Sequence, residues 1–454
     1  MHAIAPRSLA FAGVLLGMAM AQLDGLIVTA ALQSIGAELH TRSGLVAVTA
    51  AGLLTVTVAT PLHGRFGDLY GRRVSFFVSI LLFAAGSAWC AAAPDIGSLI
   101  AARALQGLGG SGLIVTAMSA LGELFERDEL LRRQGWQAAV FAAASIGGPP
   151  LGGLLAAGPG WRWIFLVNLP LCVPALLLGL RGLPSARARV AARFDVASGL
   201  LLALGGSAVV ALGSVDDLAR SPLWTPVLVL VAATTSVLFV RRQRRVASPL
   251  ISPRVFADRV LARSVLVNGL VGFALYGVFT YVALVASLGL DAARTGLLLI
   301  AMTAGQLTLS VSFSALARKY PLMTVWGRFG CALGFLGLVL IAFAAGFGGI
   351  WWLLTPGLFA IGAAFALCTS AYTVLGQSRA ARDLIGVTMG SLTFARQAGG
   401  LVGVAALGWL ALATTGGLGA SGLAVVFAAA ALVALVAWVT APAVTPAEAI
   451  SSSW

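Results

Sequence analysis

The chain is a succession of long apolar runs separated by short polar stretches. A helix rises about 1.5 Å per residue, so roughly 20 predominantly apolar residues cross the hydrocarbon core of a bilayer. Of the 454 residues, 59% are hydrophobic and only 10% are charged, whereas about 25% are charged in a typical soluble domain. The runs therefore predict membrane-spanning helices, because lipid must surround most of the surface.

Fourteen such runs are predicted to span, in the order six, two and six. Hydropathy favours fourteen spans over twelve because the two middle runs contain no charge. The basic loops on either side of that pair would share one face of the membrane in both cases, so charge does not separate the two counts. The predicted spans are 9–32, 44–63, 74–93, 97–121, 136–157, 163–181, 197–214, 223–240, 264–288, 295–317, 324–346, 350–376, 384–413 and 419–440.

The span order predicts three regions. Residues 1–181 form an N-terminal six-helix bundle, and residues 264–454 form a C-terminal six-helix bundle. Residues 182–263 form a cytoplasmic linker that contains a two-span insert.

The distribution of basic residues predicts the orientation. With the N-terminus inside, 23 of the 29 Lys and Arg residues fall in cytoplasmic segments and 4 fall outside. This asymmetry follows the positive-inside rule, so the net charge of +14 orients the chain and does not indicate a nucleic-acid partner. We expect a multi-pass protein of the cell inner membrane, with both termini in the cytoplasm.

Several enzyme signatures are absent from the sequence. The only lysine, Lys319, precedes Tyr320, so no P-loop is present to bind ATP. The three histidines lack metal-ligand spacing, and no arrangement of nucleophile and base is evident. The four cysteines lie in apolar runs and are predicted to be small buried hydrophobes. The sequence therefore predicts no enzyme, metal or cofactor, and an ion gradient as the energy source.

The loop between spans two and three reads GRFGDLYGRR over residues 64–73. Its glycines permit a tight turn, and an aspartate between arginines can pair with a neighbouring helix end. A purely topogenic basic loop is the alternative. The candidate gating residues are Gly64, Asp68, Gly71, Arg72 and Arg73.

Spans four and five carry two further motifs. Residues 103–110 read RALQGLGG, and an arginine inside a span is costly enough to be functional or paired in most cases. Residues 148–153 read GPPLGG, a combination that bends a helix and allows close approach. A structural ion pair and a packing kink are the alternatives. The residues concerned are Arg103, Gln106, Gly107, Gly148, Pro149, Gly152 and Gly153.

These motifs resemble those of the major facilitator superfamily. Residues 64–73 are similar to its GxLaDrxGrk signature, residues 103–110 to RxxqGxga, and residues 148–153 to the GPxxGG core associated with antiporters. Residues 23–29 (LDGLIVT) resemble the LDxTIVNVALP pattern of the fourteen-span drug:proton antiporter family. Three further segments are similar to sequences of the same family: 161–170 (WRWIFLVNLP), 194–199 (FDVASG) and 396–400 (RQAGG).

The resemblance implies an all-α integral membrane protein with the major facilitator fold: two six-helix bundles plus a two-helix insert, about 14 transmembrane helices. It implies a proton-coupled antiporter that exports small, largely apolar compounds by alternating access, as in multidrug efflux and antibiotic resistance. The loop at 64–73 would be a cytoplasmic latch between bundles. A dedicated exporter of one metabolite or natural solute, such as an amino acid, is an alternative. A membrane sensor or enzyme is another. A monomer is expected.

The depths of two charged residues predict the coupling site. Asp24 lies some 8 Å from the outer edge of the core and Arg103 roughly 9 Å from the same edge, at about 1.5 Å per residue. We therefore expect them to face each other across the cavity, with Asp24 as the proton carrier. A permanent salt bridge is the alternative.

Polar residues in second-half spans are candidates for lining a substrate cavity, with packing as the alternative. Only one acid lies deep in a span, which favours neutral or monovalent substrates over multiply charged cations. A further intramembrane arginine, Arg396, stands in span thirteen. The cavity candidates are Asn268, Tyr276, Thr280, Gln306, Tyr372 and Gln377.

Overall fold

The computed structural model describes residues 6–39, 45–184, 195–213, 224–276, 281, 292–346, 351–415 and 419–443. Throughout these ranges the regular structure is helical and no strand occurs. The all-α fold class is therefore confirmed.

Seven helices occur in the described residues of the first half, and two more in those of the insert. Gly71, with φ of 91°, separates the second helix from the third, which requires the left-handed freedom of glycine. The first half consists of α1 (Pro6–Glu38), α2 (Leu45–Tyr70), α3 (Arg72–Ala92), α4 (Ile96–Leu124), α5 (Arg127–Ala157), α6 (Trp163–Leu166) and α7 (Asn168–Gly182). The insert consists of α8 (Val196–Gly213) and α9 (Trp224–Gln243).

Six α-helices occur in the described residues of the second half. They are α10 (Arg259–Val271), α11 (Ala292–Lys319), α12 (Met323–Gly346), α13 (Leu354–Arg379), α14 (Ile385–Thr415) and α15 (Ala420–Thr440). A π-helical segment, Gly272–Tyr276, continues α10, and two 3₁₀ turns lie at Pro253–Phe256 and Trp351–Leu353. The predicted region boundaries near residues 181 and 263 fall close to the ends of α7 and the start of α10, and as domain limits they stay predictions.

Eleven helices in the described part of the chain are long and apolar enough to cross a membrane, and Val196–Leu212 is a shorter apolar helix. The remaining two predicted spans fall on α5 and α10. The first turns of α5 carry the polar sequence RDELLRR, and α10 leads into residues 277–291, most of which lie outside the described ranges. The predicted number of fourteen spans is therefore not established by the structure.

Each half has its own apolar core. The largest cluster of buried side chains is drawn entirely from residues 260–441, and two others come from residues 10–183. Small residues bring the helices together: a Cβ on Gly86 of α3 would lie 2.5 Å from the Cα of Gln106 in α4. Helices associate in lipid through close backbone approach of this kind, because burial of apolar surface contributes little to helix association there.

The insert packs on both halves through α8. A Cβ on Gly206 would lie 2.5 Å from Leu54 in α2, and Trp409 of α14 donates its indole N–H to the carbonyl of Leu212 at 3.0 Å. At the other end of the insert, Arg242 bonds to Asp195 at 2.9 Å. Burial of Asp195 acts to raise its pKa, but hydrogen bonds from Arg242 and Ser198 outweigh it and lower the pKa.

The four cysteines are free and buried, as predicted. Two of them, Cys331 and Cys368, lie with their sulfur atoms 3.8 Å apart between α12 and α13. They fill the core of the second half.

Candidate functional site

Asp24 of α1 and Arg103 of α4 are in direct contact. The guanidinium donates from Nη1 to Oδ2 of Asp24 at 2.5 Å, and both side chains are 6% exposed. The pair connects two helices of the same half and does not bridge the two halves. Burying either charge without its partner would be costly, so the pairing is a requirement of this arrangement.

Three polar side chains complete the surroundings of Asp24. Its Oδ1 accepts from Nε2 of Gln106 at 2.7 Å and from Nδ2 of Asn168 at 3.0 Å. Gln106 also donates to Ser87 Oγ at 2.8 Å. The carboxylate thus receives three donors from α4 and α7, which together hold it in one position.

Neighbouring helices enclose this network closely. A Cβ on Gly52 of α2 would lie 3.0 Å from Nη2 of Arg103, and a Cβ on Gly107 would lie 2.8 Å from the Gly52 carbonyl oxygen. The Arg103 guanidinium also lies 5.9 Å from the centroid of the Phe165 ring. Helix α2 therefore packs directly on the cation of the pair.

The latch residue Asp68 bonds to the second half. At the end of α2, its carboxylate accepts the N–H of Gly386 at 2.9 Å and the N–H of Val387 at 2.8 Å. These N–H groups belong to the first turn of α14, where no intrahelical acceptor exists. A carboxylate at a helix N-terminus is also favoured by the helix dipole. The side chain of one half therefore caps a helix of the other.

Arg72 joins the latch to α4. It bonds to Asp68 and donates from Nε to Glu123 at 2.9 Å. The glycine at 64 permits the crossing of α2 and α14, because a Cβ there would lie 2.4 Å from the Gly386 carbonyl oxygen. Arg73, the last of the predicted gating residues, is half-buried.

Other contacts between the halves begin near this end of the molecule and reach mid-depth at Gln397. Gln377 of α13 donates to the carbonyl of Met118 at 2.6 Å, and Thr60 of α2 donates to Gln397 of α14 at 3.1 Å. Met118 also belongs to an apolar cluster with side chains of α14. We call this end, marked by residues 64–73, the latch end.

The linker is hydrogen-bonded to α2 and to α13 at the latch end. Arg65 donates to Ser248 at 2.9 Å, and Arg379 donates to Asp258 at 3.1 Å. Asp258 also caps α10 by accepting the N–H of Val260 at 2.7 Å. Burial acts to raise the pKa of Asp258, but these hydrogen bonds outweigh it and lower the pKa.

The structure places most of the predicted cavity residues in packing roles. Gln377 joins the two halves, as described above. Asn268 is buried and donates to the carbonyl of Ser264 in its own helix at 2.9 Å. Tyr372 is fully buried against α12, since a Cβ on Gly327 would lie 2.6 Å from its ring. The hydroxyl of Tyr372 faces Cys331.

The other three candidates differ in how they are placed. Gln306 is buried beside Gly362, where α11 and α13 cross. Tyr276 closes the π-helical segment, and only its backbone is described; Thr280 lies outside the described residues.

The GPPLGG motif lies in α5, which runs unbroken through both prolines. The predicted close approach is not present in this conformation at Gly153, where a Cβ would meet no described atom within 4 Å. Near the start of α5, by contrast, a Cβ on Gly135 would lie 3.3 Å from Ser314 of α11. Gly148 is buried, and the side chain of Pro149 is not described. Helix α5 thus contacts the second half near the latch end and faces open space at Gly153.

Sequence reasoning missed Ser87 and Asn168 as members of the Asp24 network. Each is a polar residue within an otherwise apolar stretch of α3 or α7. Their polarity was visible in the sequence, but only the packing of α1, α3, α4 and α7 shows that they share one partner.

Arg396 is buried in α14, with 8% of its surface exposed. Its guanidinium lies 5.9 Å from the centroid of the Phe365 ring in α13, and its Nε has no hydrogen-bond partner in the structure.

Comparison with known proteins places these features in context. The family model described as Major Facilitator Superfamily matches residues 14–404. The chain is 28% identical to the multidrug transporter protein MdtP of Bacillus subtilis (strain 168) over 418 residues, covering 91% of this chain and 76% of MdtP. It is 31% identical to the multidrug resistance protein Stp of Mycobacterium tuberculosis (strain CDC 1551 / Oshkosh) over 402 residues, covering 87% of this chain and 74% of Stp.

Solved structures share the fold. The human organic anion transporter MFSD10 (TETRAN) superposes with a TM-score of 0.69 at 15% identity, covering 96% of this chain and 100% of that one. A bacterial homologue of the iron transporter ferroportin in an outward-facing state superposes with a TM-score of 0.66 at 16% identity. The superposition covers 96% of this chain and 98% of that one. At these identities the likeness concerns the fold.

Proposed function

Because the chain belongs to the Major Facilitator Superfamily, we propose that it is a proton-coupled antiporter that exports small, largely apolar compounds by alternating access. Membership of this family of transporters, with relatives named as multidrug transporters, supports transport of small molecules across a lipid bilayer. Proton coupling, antiport and export are the parts that we propose. We further propose that the protein acts as a monomer in the cell inner membrane, with both termini in the cytoplasm.

The observation that carries the proposal is the buried pair of Asp24 and Arg103. An ionisable residue inside a membrane span marks a functional pathway by default. Asp24 is the only acid deep in a predicted span, so it is the one carboxylate there that can take up and release a proton. Phe165 and the enclosing helices limit its access in this conformation.

The geometry suggests how a proton would act. Protonated Asp24 is neutral, so its attraction to Arg103 is lost and the three donors around it are free to rearrange. Arg103 would then be a buried cation without a carboxylate, which favours movement of the helices around it. Gly52 of α2 packs on the Arg103 guanidinium, so α2 is the first helix to respond.

Two helices connect the proton site to the latch end. Helix α2 contains Gly52 beside Arg103 and ends with Asp68, which caps α14. Helix α4 contains Arg103 and reaches Glu123, which bonds to Arg72. A shift of either helix would therefore act on the contacts that hold the two halves together.

Alternating access requires that the contact between halves moves from one end to the other. Here the described contacts join the halves at the latch end, and α5 faces open space at Gly153. With the orientation that the basic residues favour, this conformation faces outward. Inward proton movement would then drive the return to an inward-facing conformation that loads substrate.

A dedicated exporter of one metabolite or natural solute is the second candidate. The same proton site would serve it, and only the range of substrates differs. Sensitivity of a deletion strain to a panel of unrelated toxicants separates the two, because broad efflux predicts several affected compounds. A membrane sensor or enzyme, the third candidate, would move no compound.

Transport in proteoliposomes tests the proposal directly. Purified protein in vesicles with an imposed pH gradient should accumulate a lipophilic dye against its concentration gradient, and collapse of the pH gradient by an ionophore should abolish accumulation. Equal accumulation with and without the gradient would contradict proton coupling. No flux under any condition would contradict transport.

A further inference from the structure

Arg103 and Arg396 are buried in similar ways but are neutralised differently. Each guanidinium lies 5.9 Å from the centroid of a phenylalanine ring, and each has an Nε without a hydrogen-bond partner. Arg103 nevertheless has the carboxylate of Asp24 at 2.5 Å. For Arg396 the described residues offer no ion pair.

The sequence explains why Arg396 lacks a carboxylate. Helices α10 to α15 contain no Asp or Glu at all, and along the chain Asp258, Asp291 and Asp383 stand just before the starts of α10, α11 and α14. In the first half, Asp24 is bonded to Arg103 and Asp68 to Arg72. None of the described residues of the second half therefore balances the positive charge of Arg396.

Arg396 also lies deep within its span. It is eleven residues beyond Ile385, the first residue of α14, which corresponds to about 16 Å along the helix. That is roughly halfway through a hydrocarbon core of about 30 Å. An unpaired cation at this depth is expensive, and phenylalanine supplies only part of the compensation.

The position of Arg396 relative to the contacts between halves indicates what it faces. Thr393, one turn earlier, donates to Met118 Sδ of α4 at 3.6 Å, and Gln397, the next residue, accepts from Thr60 of α2. The hydrogen bonds that join α14 to α2 and α4 run from Gly386 to Gln397 in the described structure. Beyond this level Gly399 and Gly403 pack on α10 and the π-helical segment of the same half. Arg396 therefore stands at the level where the described hydrogen bonds between the two halves end.

We propose that Arg396 is a binding site for an anionic group on the transported compound, and that the preferred substrates are amphipathic organic acids. A guanidinium binds a carboxylate through two parallel hydrogen bonds, and the Phe365 ring beside Arg396 suits the apolar part of such a molecule. The inference rests on the proposed transport function and narrows its substrate class. It also narrows the sequence-based preference for neutral or monovalent compounds, by assigning a negative charge to the substrate.

Binding of three related probes to the purified protein in lipid nanodiscs tests this inference. The probes are 1-pyrenebutyrate, its methyl ester and the corresponding pyrenylbutyl trimethylammonium, which share one apolar body and differ in charge. Binding is read from the ligand-dependent rise in apparent melting temperature. The variants are Arg396→Gln, Arg396→Lys and, as a matched control for loss of a positive charge, Arg241→Gln at the exposed end of α9.

We expect the wild type and Arg241→Gln to prefer the carboxylate over its ester. Arg396→Gln should weaken carboxylate binding by about tenfold or more, which is one decade in affinity, and leave ester binding unchanged. Arg396→Lys should keep part of the preference because it retains the charge. If Arg396→Gln does not fold, the test rests on Arg396→Lys. A purely structural role of Arg396 would make Arg396→Lys change the binding of all three probes equally, and that result would overturn the inference.

Two other results would overturn it. One is a wild type that binds the ester or the ammonium probe at least as tightly as the carboxylate. The other is a folded Arg396→Gln variant with unchanged carboxylate binding. Failure of proton-driven transport together with an intact carboxylate preference would reject the proposed coupling and leave the anion site standing.

Discussion

The carboxylate of Asp68, at the end of a first-half helix, accepts the backbone N–H of Val387 in the second half at 2.8 Å. With the bond from Gly386, it caps α14 across the interface between the two halves. The capping interaction exists only while the halves are closed at the latch end. This acidic side chain therefore contributes to the stability of this conformation, together with the contacts of Gln377 and Thr60 across the halves.

Replacing Asp68 by Asn tests this dependence. The amide has one acceptor oxygen for two N–H donors and no negative charge, and loss of one of these hydrogen bonds costs about 1 kcal/mol. Arg72 keeps Glu123 as a partner, so no orphaned cation should unfold the protein. We expect normal insertion with transport reduced about fivefold or more, since 1 kcal/mol changes a two-state equilibrium by about that factor. A well-inserted Asp68→Asn protein with wild-type transport would reduce the loop to a topogenic role.

Replacing Asp24 by Asn tests the proton site. The variant should lose accumulation driven by a pH gradient and retain substrate binding or exchange. Removing one partner of a buried ion pair costs about 3–5 kcal/mol of folding free energy. The double variant Asp24→Asn/Arg103→Gln has neither charge, so it serves as the control in which no unpaired arginine is buried. If either variant still concentrates substrate using the pH gradient alone, Asp24 is not the carrier.

Two glycine substitutions should shift the conformational equilibrium in opposite directions. A Cβ on Gly64 would lie 2.4 Å from the Gly386 carbonyl oxygen, so Gly64→Ala should disfavour closure at the latch end. Gly153 faces open space here, so Gly153→Leu should be tolerated in this conformation and should block closure at the opposite end. Gly152 is buried, and Gly152→Leu is also expected to block transport by holding helices apart. All of these variants should lower transport.

Distances between spin labels on α2 and α14 at the latch end would distinguish the two effects. Gly64→Ala should lengthen the mean distance between the labels. Gly153→Leu should narrow the distribution around the short distance that belongs to the closed latch end. Gly153→Ala is the matched control, because its single added carbon meets no described atom. Identical distributions in Gly64→Ala and Gly153→Leu would contradict a role for both glycines in switching.

Labelling of single cysteines would fix the number of spans and their orientation. The four native cysteines are buried, so a cysteine-free background is a reasonable starting point. With fourteen spans and the predicted orientation, a cysteine at Ala219 should react with an impermeant maleimide in intact cells. A cysteine at Arg187 should react only after permeabilisation. Protection of both positions in intact cells would favour twelve spans.

The sequence predicted the helical class and the family because these depend on local properties. Apolar runs of sufficient length must form helices in lipid, where every backbone polar group needs an internal partner. The GRFGDLYGRR and RALQGLGG motifs are short and contiguous, so they were readable in one dimension. Depth arithmetic placed Asp24 and Arg103 at one level because residue number converts directly into height along a helix.

Height along a helix does not give the direction in which a side chain points, and here the sequence was insufficient. Tyr372 and Gln377 stand in the same helix, yet one fills the core beside Gly327 and the other bonds across the halves to Met118. Both are buried in contacts between helices in this conformation, because the rotation of α13 is set by its neighbours.

The sequence by itself determined that this chain is an all-α membrane protein and which of its residues are too polar for their depth. Only the tertiary structure decided how those residues are satisfied: Asp24 by Arg103, Gln106 and Asn168, and Asp68 by the first turn of α14. The physical reason is that a buried charge specifies that a partner must exist but not which helix supplies it. The helix packing, which small residues set at crossings such as Gly64 with Gly386, makes that choice.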